Sequence, residues 1–189
     1  LDVQSAVMAN QNMNFLASGK APTRLGNAHP NISPYEVVPA SDGHIILAVG
    51  NDGQFRKLCG ILKLTGVPED ERFATNRARV ANRVEVRRLV TEATVTLSKA
   101  ELLDACEREG VPAGPINSIA ETFDDPQVKA RGMRVDLPDA DGNLIPGVRT
   151  PIVFSGTPLV YDRPSPRLGE HTDAVMAELA TLEAGKKSA

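Results

Sequence analysis

The chain carries Arg24-Leu-Gly-Asn-Ala-His-Pro-Asn-Ile-Ser-Pro-Tyr35, then two β-rich runs, and then Gly50-Asn-Asp-Gly-Gln-Phe55. Asparagine and histidine offer hydrogen-bond donors and acceptors, and glycine lets the backbone approach a ligand closely. Polar loops that are punctuated by glycine and flanked by β-structure often carry function. The sequence therefore predicts a functional loop directly before a small sheet.

The size and charge of the chain exclude several classes of protein. It has 189 residues, of which 41% are hydrophobic, enough for one domain or one and a half. A net charge of −3 gives no electrostatic case for nucleic acid, and no apolar run approaches the length of a membrane span. Leu1 lies inside an amphipathic pattern with no preceding Met, so we expect a segment of a longer protein.

The two cysteines, Cys59 and Cys106, both lie on predicted helices among Leu and Ile. This setting is typical of buried free thiols in a reducing compartment, so we expect a cytoplasmic protein. No CxxC motif or paired histidine spacing is present, so no bound metal is predicted.

The order of predicted elements indicates an α+β protein. The first half should hold a helix over 1–16, a polar loop over 18–34, β-runs over 35–38 and 44–49 joined by Asp42-Gly43, and a helix over 52–64 capped by Asn51. Helical spacing continues over 86–97, and Ser98-Lys-Ala-Glu101 is a capping box that opens the next helix.

The last part of the chain should be rich in β-structure. We expect short helices over 118–123 and 126–130, a hairpin of 133–137 with 144–146, an edge strand over 148–154 containing Pro151, irregular chain over 157–167, and a final helix over 171–184 before a tail.

One set of motifs runs through nearly the whole chain: Leu1-Asp-Val-Gln4, Arg24-Leu-Gly-Asn-Ala-His-Pro-Asn31, Pro34-Tyr35, Asp42-Gly43, Gly114-Pro-Ile-Asn117 and Leu168-Gly-Glu-His-Thr172. Together these motifs resemble the family III CoA-transferases, also called the carnitine dehydratase or bile-acid-inducible family. Within the family, the chain is most similar to members that move CoA between dicarboxylic acids, such as from succinyl-CoA to glutarate.

The resemblance implies that the chain is the C-terminal portion of an enzyme about twice as long. Residues 1–25 would leave a Rossmann-like CoA-binding half, 26–132 would form a small α+β domain, and 133–189 would return toward the large domain. The aspartate nucleophile would lie upstream of residue 1, so the chain would hold no catalytic residue and would be inactive alone. Family members form homodimers whose two chains interlock.

The resemblance also implies acyl transfer through covalent intermediates on that aspartate, an anhydride and then a thioester. The CoA thioester is a substrate, and no tightly bound cofactor is expected. Such a site must stabilise oxyanions and exclude water. In the family a glycine-rich loop lies over the nucleophile, and Gly26, Asn27, Ala28 and His29 occupy the comparable place. The loop lacks the consecutive glycines of formyl-CoA transferases, which argues against formyl or oxalyl specificity.

Each candidate site residue has an alternative structural role. His29 could donate to a substrate carboxylate or polarise a carbonyl, or it could bond a backbone carbonyl within the loop. Asn27 could present its amide to a ligand or form a turn. The resemblance also places Asp52 at a position that holds an active-site carboxylate in the racemase branch. Asn51 and Asp52 equally suit a helix start, where a carboxylate favours the positive end of the dipole.

The only basic cluster comprises the arginines at 72, 77, 79, 83, 87 and 88. Because acidic residues interleave with them, ion pairing on a solvated helical face is favoured over binding of the CoA phosphates. Two alternative functions remain open: an α-methylacyl-CoA racemase, which needs a two-base proton relay, and a non-enzymatic dimerisation or ligand-binding module.

Overall fold

The computed structural model describes residues 1–187, with side-chain surroundings for residues 1–182. The chain divides into two units, Leu1–Ile116 and Asn117–Ala189. The first unit contains α1 (Asp2–Val7), α2 (Ala9–Ser18), β1 (Tyr35–Ala40), β2 (Gly43–Ala48), α3 (Asp52–Ile61), α4 (Asn76–Ala81), α5 (Arg83–Thr94), α6 (Lys99–Glu109) and β3 (Ala113–Ile116).

The sheet of the first unit is antiparallel with the order β1-β2-β3. Tyr35 pairs with Ala48 and Ala40 pairs with Gly43, so Ser41 and Asp42 form the tight turn that the Asp-Gly signal predicted. Gly43 has a φ of +153°, and a Cβ there would lie 2.9 Å from Cδ of Lys99. A side chain at this position would therefore displace Lys99 from the hairpin.

The core of the first unit lies between one face of this sheet and the helices. Alternate residues of the strands point inward, as Val38, Ile45 and Leu47 show, each at most 1% exposed. The helices contribute the buried residues Phe55, Leu58, Val86, Val90, Leu102 and Cys106. Each such apolar side chain stabilises the fold by roughly 1.5–3 kcal/mol relative to exposure.

The caps of α3 and α6 agree with the local sequence, but three helices of this unit differ from the prediction. The helical spacing predicted over 86–97 corresponds to α5, which runs over Arg83–Thr94. The helix predicted over 52–64 ends at Ile61, because Lys63 takes a φ of +55° and the N–H of Leu64 bonds the carbonyl of Cys59. The single helix predicted over 1–16 is divided at Met8, where the side-chain amide of Asn12 donates to the carbonyl of Ser5. That amide takes the place of a main-chain helical bond.

The second unit contains α7 (Ile119–Asp124), α8 (Pro126–Ala130), β4 (Arg134–Pro138), β5 (Leu144–Val148) and α9 (Thr172–Lys187). Ser118 forms a capping box with Glu121, and Asp125 caps α8 with Pro126 in the first turn. β4 and β5 form the predicted antiparallel hairpin, and the carboxylate of Asp139 accepts the N–H of Asn143 in its turn.

Two predictions for this unit are wrong. The strand predicted over 148–154 does not form, since β5 ends at Val148. Pro151 has no N–H to offer a neighbouring strand, and the N–H of Thr150 donates instead to the hydroxyl of Tyr161 at 3.2 Å. The last helix runs to Lys187 through Gly185, a residue that weakens a helix by about 1 kcal/mol without ending it. The predicted tail at 188–189 lies outside the described residues.

Within the part of the chain that the structure describes, none of the helices combines the length and the apolar character needed to cross a membrane.

Candidate substrate loop

The candidate loop, residues 24–34, connects α2 to β1. It turns at Gly26, whose φ of +64° suits glycine, and the N–H of Ala28 closes the turn on the carbonyl of Leu25 at 3.2 Å. The substrate-loop residues predicted from sequence, Gly26 to His29, thus form one tight bend directly before the sheet.

Asn27 and His29 attach this bend to the outer edge of β1. The side-chain oxygen of Asn27 accepts the N–H of Val37 at 2.9 Å, and the N–H of His29 donates to the carbonyl of Tyr35 at 2.9 Å. An edge strand otherwise leaves such groups unpaired, so the loop covers the strand as a further strand would. Asn27 uses only its oxygen here, and its NH₂ group is the part suited to a ligand.

The imidazole of His29 is held in one orientation. It stacks on the ring of Tyr35 with centroids 5.2 Å apart and planes 18° from parallel, and its Nδ1 accepts the N–H of Asn31 at 3.1 Å. A neutral imidazole that accepts at one nitrogen carries its proton on the other. Nε2 is therefore the nitrogen of His29 that can donate to a carboxylate or carbonyl.

The opposite side of the loop rests on α4 and the start of α5. Three side chains, Asn76, Arg79 and Arg83, hydrogen-bond the backbone of 29–33. The amide of Asn76 donates to the carbonyl of Asn31 at 2.8 Å and accepts the N–H of Ser33 at 3.2 Å. Arg83 donates to the carbonyls of His29, at 3.2 Å, and Pro30, at 2.7 Å.

Arg79 is the buried centre of the arrangement. Its guanidinium is fully buried and donates to the carbonyls of Ser33 (2.7 Å) and Phe73 (2.9 Å) and to the carboxylate of Asp52 (2.8 Å). It also lies 4.3 Å above the ring of Phe55. A buried charge needs such partners, because desolvation without them is costly.

Asn51 and Asp52 thereby join the loop through one arginine. Asn51 caps α3 by accepting the N–H of Gln54 at 2.9 Å, and Asp52, in the first turn of α3, forms the ion pair with Arg79. The same guanidinium bonds Ser33, so both segments predicted from sequence are held against a shared group. The contacts of Asp52 are those of a counter-ion at a helix start.

The prediction of solvated ion pairs holds for some of the basic cluster. Arg88 bonds Glu85 and Glu92 on the exposed face of α5, and Arg72 bonds Asp70. These arginines hold the pKa values of Glu85 and Asp70 below their usual range. For Arg79 the prediction is wrong, since that residue is buried and ties three segments together.

Sequence reasoning missed the roles of Asn76, Arg79 and Arg83, although a signal was present. These positions are three and four residues apart, and the same spacing continues to the apolar residues Val86 and Val90, which lie in the core. An arginine on the face that later becomes apolar is directed inward. That criterion separates Arg79 and Arg83 from Arg88.

Two further kinds of reactive site to consider among the described residues are a reactive thiol and a metal-binding cluster. Burial raises the pKa of the Cys59 thiol to about 11, so this cysteine stays protonated at neutral pH. Among the residues described, no three His, Cys, Asp or Glu side chains are grouped closely enough to hold a metal ion.

Comparison with known proteins identifies the class first. The family model for CoA-transferase family III matches residues 1–172, and the chain belongs to that family. The resemblance inferred from the motifs is thereby confirmed.

Two relatives with curated names are similar to this chain over most of its length. The chain is 67% identical over 183 residues to the succinate–glutarate CoA-transferase of Agrobacterium fabrum, covering 97% of this chain and 46% of that protein. It is 33% identical over 181 residues to the human succinyl-CoA:glutarate CoA-transferase, covering 95% and 41%. The chain thus spans less than half the length of these relatives.

A solved structure shows the same mixed α/β fold. The crystal structure of a CAIB/BAIF family protein from Brucella suis matches with a TM-score of 0.79 and 53% identity, over 94% of this chain and 46% of that one.

Proposed function

We propose that this chain is the C-terminal portion of a CoA-transferase that exchanges CoA between an acyl-CoA and a free dicarboxylic acid, with succinyl-CoA and glutarate as the first pair to test. The similarity to the Agrobacterium fabrum enzyme carries the proposal. Residues 1–25, 26–132 and 133–189 would serve as the linker, the small domain and the return segment, and the full protein would act as an interlocked homodimer in the cytoplasm.

The proposed reaction proceeds on an aspartate that lies upstream of residue 1. Its carboxylate attacks the thioester carbonyl, which expels CoA thiolate and leaves a mixed anhydride. The thiolate then attacks the aspartyl carbonyl of the anhydride, which releases the donor acid and leaves an enzyme-bound CoA thioester. The acceptor carboxylate repeats these steps in reverse.

The role proposed for this chain is to cover that site and to supply donors. The NH₂ group of Asn27 and the Nε2–H of His29 are the groups of the bend that suit a carboxylate or a developing oxyanion. The stacking on Tyr35 and the bond from Asn31 hold the His29 ring in place, so little reorganisation is needed when charge develops.

The direct test compares residues 1–189 with the full natural protein that contains them, using succinyl-CoA and glutarate. We expect glutaryl-CoA formation by the full protein and none by residues 1–189 alone, because the nucleophile is proposed to lie upstream. Robust turnover by residues 1–189 would refute the assignment of the nucleophile. Epimerisation of an α-methylacyl-CoA without transfer would instead support the racemase, and binding without any turnover would support the non-enzymatic module.

A matched pair of variants tests the role of the bend. In the full protein, His29→Phe keeps a ring that can stack on Tyr35 but removes the Nε2–H donor, and should lower kcat about 10²–10³-fold, the scale of a lost oxyanion donor. His44→Phe makes the same change at an exposed histidine of β2 outside the bend and should leave kcat unchanged. Equal activity of both variants would remove His29 from the site.

A further inference from the structure

Side chains of α4 and α5 hydrogen-bond the backbone carbonyls of residues 29–33. The carbonyls of His29 and Pro30 accept from Arg83, that of Asn31 accepts from Asn76, and that of Ser33 accepts from Arg79. Backbone carbonyls in a loop usually bond water. Here four of these carbonyls are bonded by side chains of α4 and of the first residue of α5.

These side chains fix the bend from the side opposite to the sheet. The bend Gly26–His29 is attached to β1 by Asn27 and by the N–H of His29. Arg83 of α5 hydrogen-bonds the carbonyls of His29 and Pro30, where the bend ends. The end of the bend is therefore held by both the sheet and a helix. The position of the Asn27 and His29 side chains therefore depends on these two sets of hydrogen bonds.

Arg83 holds the point nearest to the candidate donor. Its two terminal nitrogens bond two successive carbonyls, and its Nε lies 3.4 Å from the carbonyl of Val80. The planar, rigid guanidinium fork thereby sets the orientation of the peptide between His29 and Pro30. A lysine offers only a point charge and cannot reproduce the fork.

The settings of Arg79 and Arg83 predict different effects of substitution. Arg79 is fully buried beside Asp52 and Phe55, so its loss would leave buried groups unpaired and destabilise the whole unit. Arg83 is only half-buried at the first position of α5, and its hydrogen bonds to the carbonyls of His29 and Pro30 are part-buried. Its loss should release the bend while the core remains folded.

We propose that Arg83 is a positioning residue, which acts through the carbonyls of His29 and Pro30 to set how the bend Gly26–His29 meets the acceptor carboxylate. The inference rests on the proposed function, since it takes the bend to be part of the transferase site. Arg83 itself does not touch the substrate.

The test uses the full natural protein with three variants, Arg83→Gln, Arg83→Lys and, as control, Arg88→Gln. Arg88 lies on the same helix, where it bonds Glu85 and Glu92 on the exposed face. Arg83→Gln should raise the KM for glutarate about fivefold or more, the scale of one hydrogen bond, while the KM for succinyl-CoA changes less. Arg83→Lys should recover part of the loss, and Arg88→Gln should match the natural protein.

Hydrogen exchange supplies a readout independent of turnover. The amides of His29, Asn31, Ile32 and Ser33 should exchange faster in Arg83→Gln than in Arg88→Gln, whereas those of Val86 and Val90 should be equal in both. An active natural protein whose Arg83→Gln variant keeps both the KM for glutarate and the protection of 29–33 would overturn the positioning role alone. A natural protein without transferase activity would overturn the proposed function and this inference with it.

Discussion

Asp52 illustrates how one residue can satisfy two structural demands. It lies in the first turn of α3, where a carboxylate favours the helix dipole, and it neutralises a guanidinium that is fully buried. The side chain of Asp52 is itself 41% exposed, so solvent screens part of the pair.

Asp52→Asn should lower the free energy of unfolding by about 1–3 kcal/mol, because it leaves a buried charge without a counter-ion next to partial solvent. Urea denaturation of residues 1–189 measures the effect. Glu92→Gln, which breaks an exposed pair with Arg88, serves as the control and should cost no more than about 0.5 kcal/mol. Equal losses for the two variants would contradict the structural weight given to Asp52.

The raised pKa of the buried Cys59 thiol predicts that the free energy of unfolding falls at high pH. Burial, partly offset by Arg79, raises its pKa from 9.0 to about 11. The unfolded chain therefore releases the thiol proton above pH 9 while the folded chain retains it up to about pH 11. The stability from this group is complete below pH 9 and is lost as the pH rises to 11, because the unfolded state binds fewer protons there.

Between pH 8 and pH 10 the natural chain should lose about 1 kcal/mol more stability than Cys59→Ala, in keeping with 1.4 kcal/mol per pKa unit. Urea denaturation at both pH values makes the comparison. A parallel fall for the two proteins would show that the thiol does not contribute.

At the scale of elements, substitutions of Asn51 can distinguish a helix-capping role from a ligand-binding role. Its side chain accepts the N–H of Gln54 at the start of α3. Asn51→Ala should destabilise the chain by about 1 kcal/mol, whereas Asn51→Ser keeps the cap and should be nearly neutral. Thermal unfolding of residues 1–189 measures both. If Asn51→Ser abolishes transfer in the full protein while the fold is stable, Asn51 serves the substrate as well.

Elements whose signals are local could be predicted from the sequence. The capping box of Ser98 with Glu101, the turn at Asp42-Gly43 and the start of α8 at Asp125-Pro126 each depend on residues within a few positions. The strand predicted over 148–154 depends on a distant partner, which the sequence does not specify. The residues of 148–154 favour a strand locally, but Pro151 lacks an N–H for strand pairing and the N–H of Thr150 bonds Tyr161 instead.

The candidate site follows the same division. The polar loop before β1 and the cap at Asn51 were predicted because their chemistry is local. Arg79 bonds Asp52, which lies 27 positions away in the sequence, and Ser33, which lies 46 positions away. A single sequence does not show such pairings, so an arginine among acidic neighbours was assigned to the solvent. The full network required the three-dimensional structure.

At the scale of the whole molecule, α1 and α2 present an apolar surface to solvent. Val3, Val7, Met13 and Leu16 are each between 62% and 78% exposed. Apolar side chains grouped on neighbouring helices are typical of surfaces that associate with other protein.

Residues 1–189 should therefore self-associate. Sedimentation over a range of concentrations should show species larger than the monomer, and the double variant Val7→Glu with Leu16→Glu should shift them to monomer. Val84→Glu changes an exposed apolar residue of α5 and should have no effect. A natural chain that stays monomeric at high concentration would contradict the prediction.

Three asparagines connect α2 to the helices across the loop. Asn14 of α2 accepts from the side chain of Asn31 at 2.9 Å, and the carbonyl of Asn31 accepts from Asn76 of α4 at 2.8 Å. These two exposed hydrogen bonds join α2 and α4 to the same loop residue, Asn31. A protein surface that packs on α2 would therefore rest on the helix whose Asn14 hydrogen-bonds Asn31, two residues after His29 in the loop.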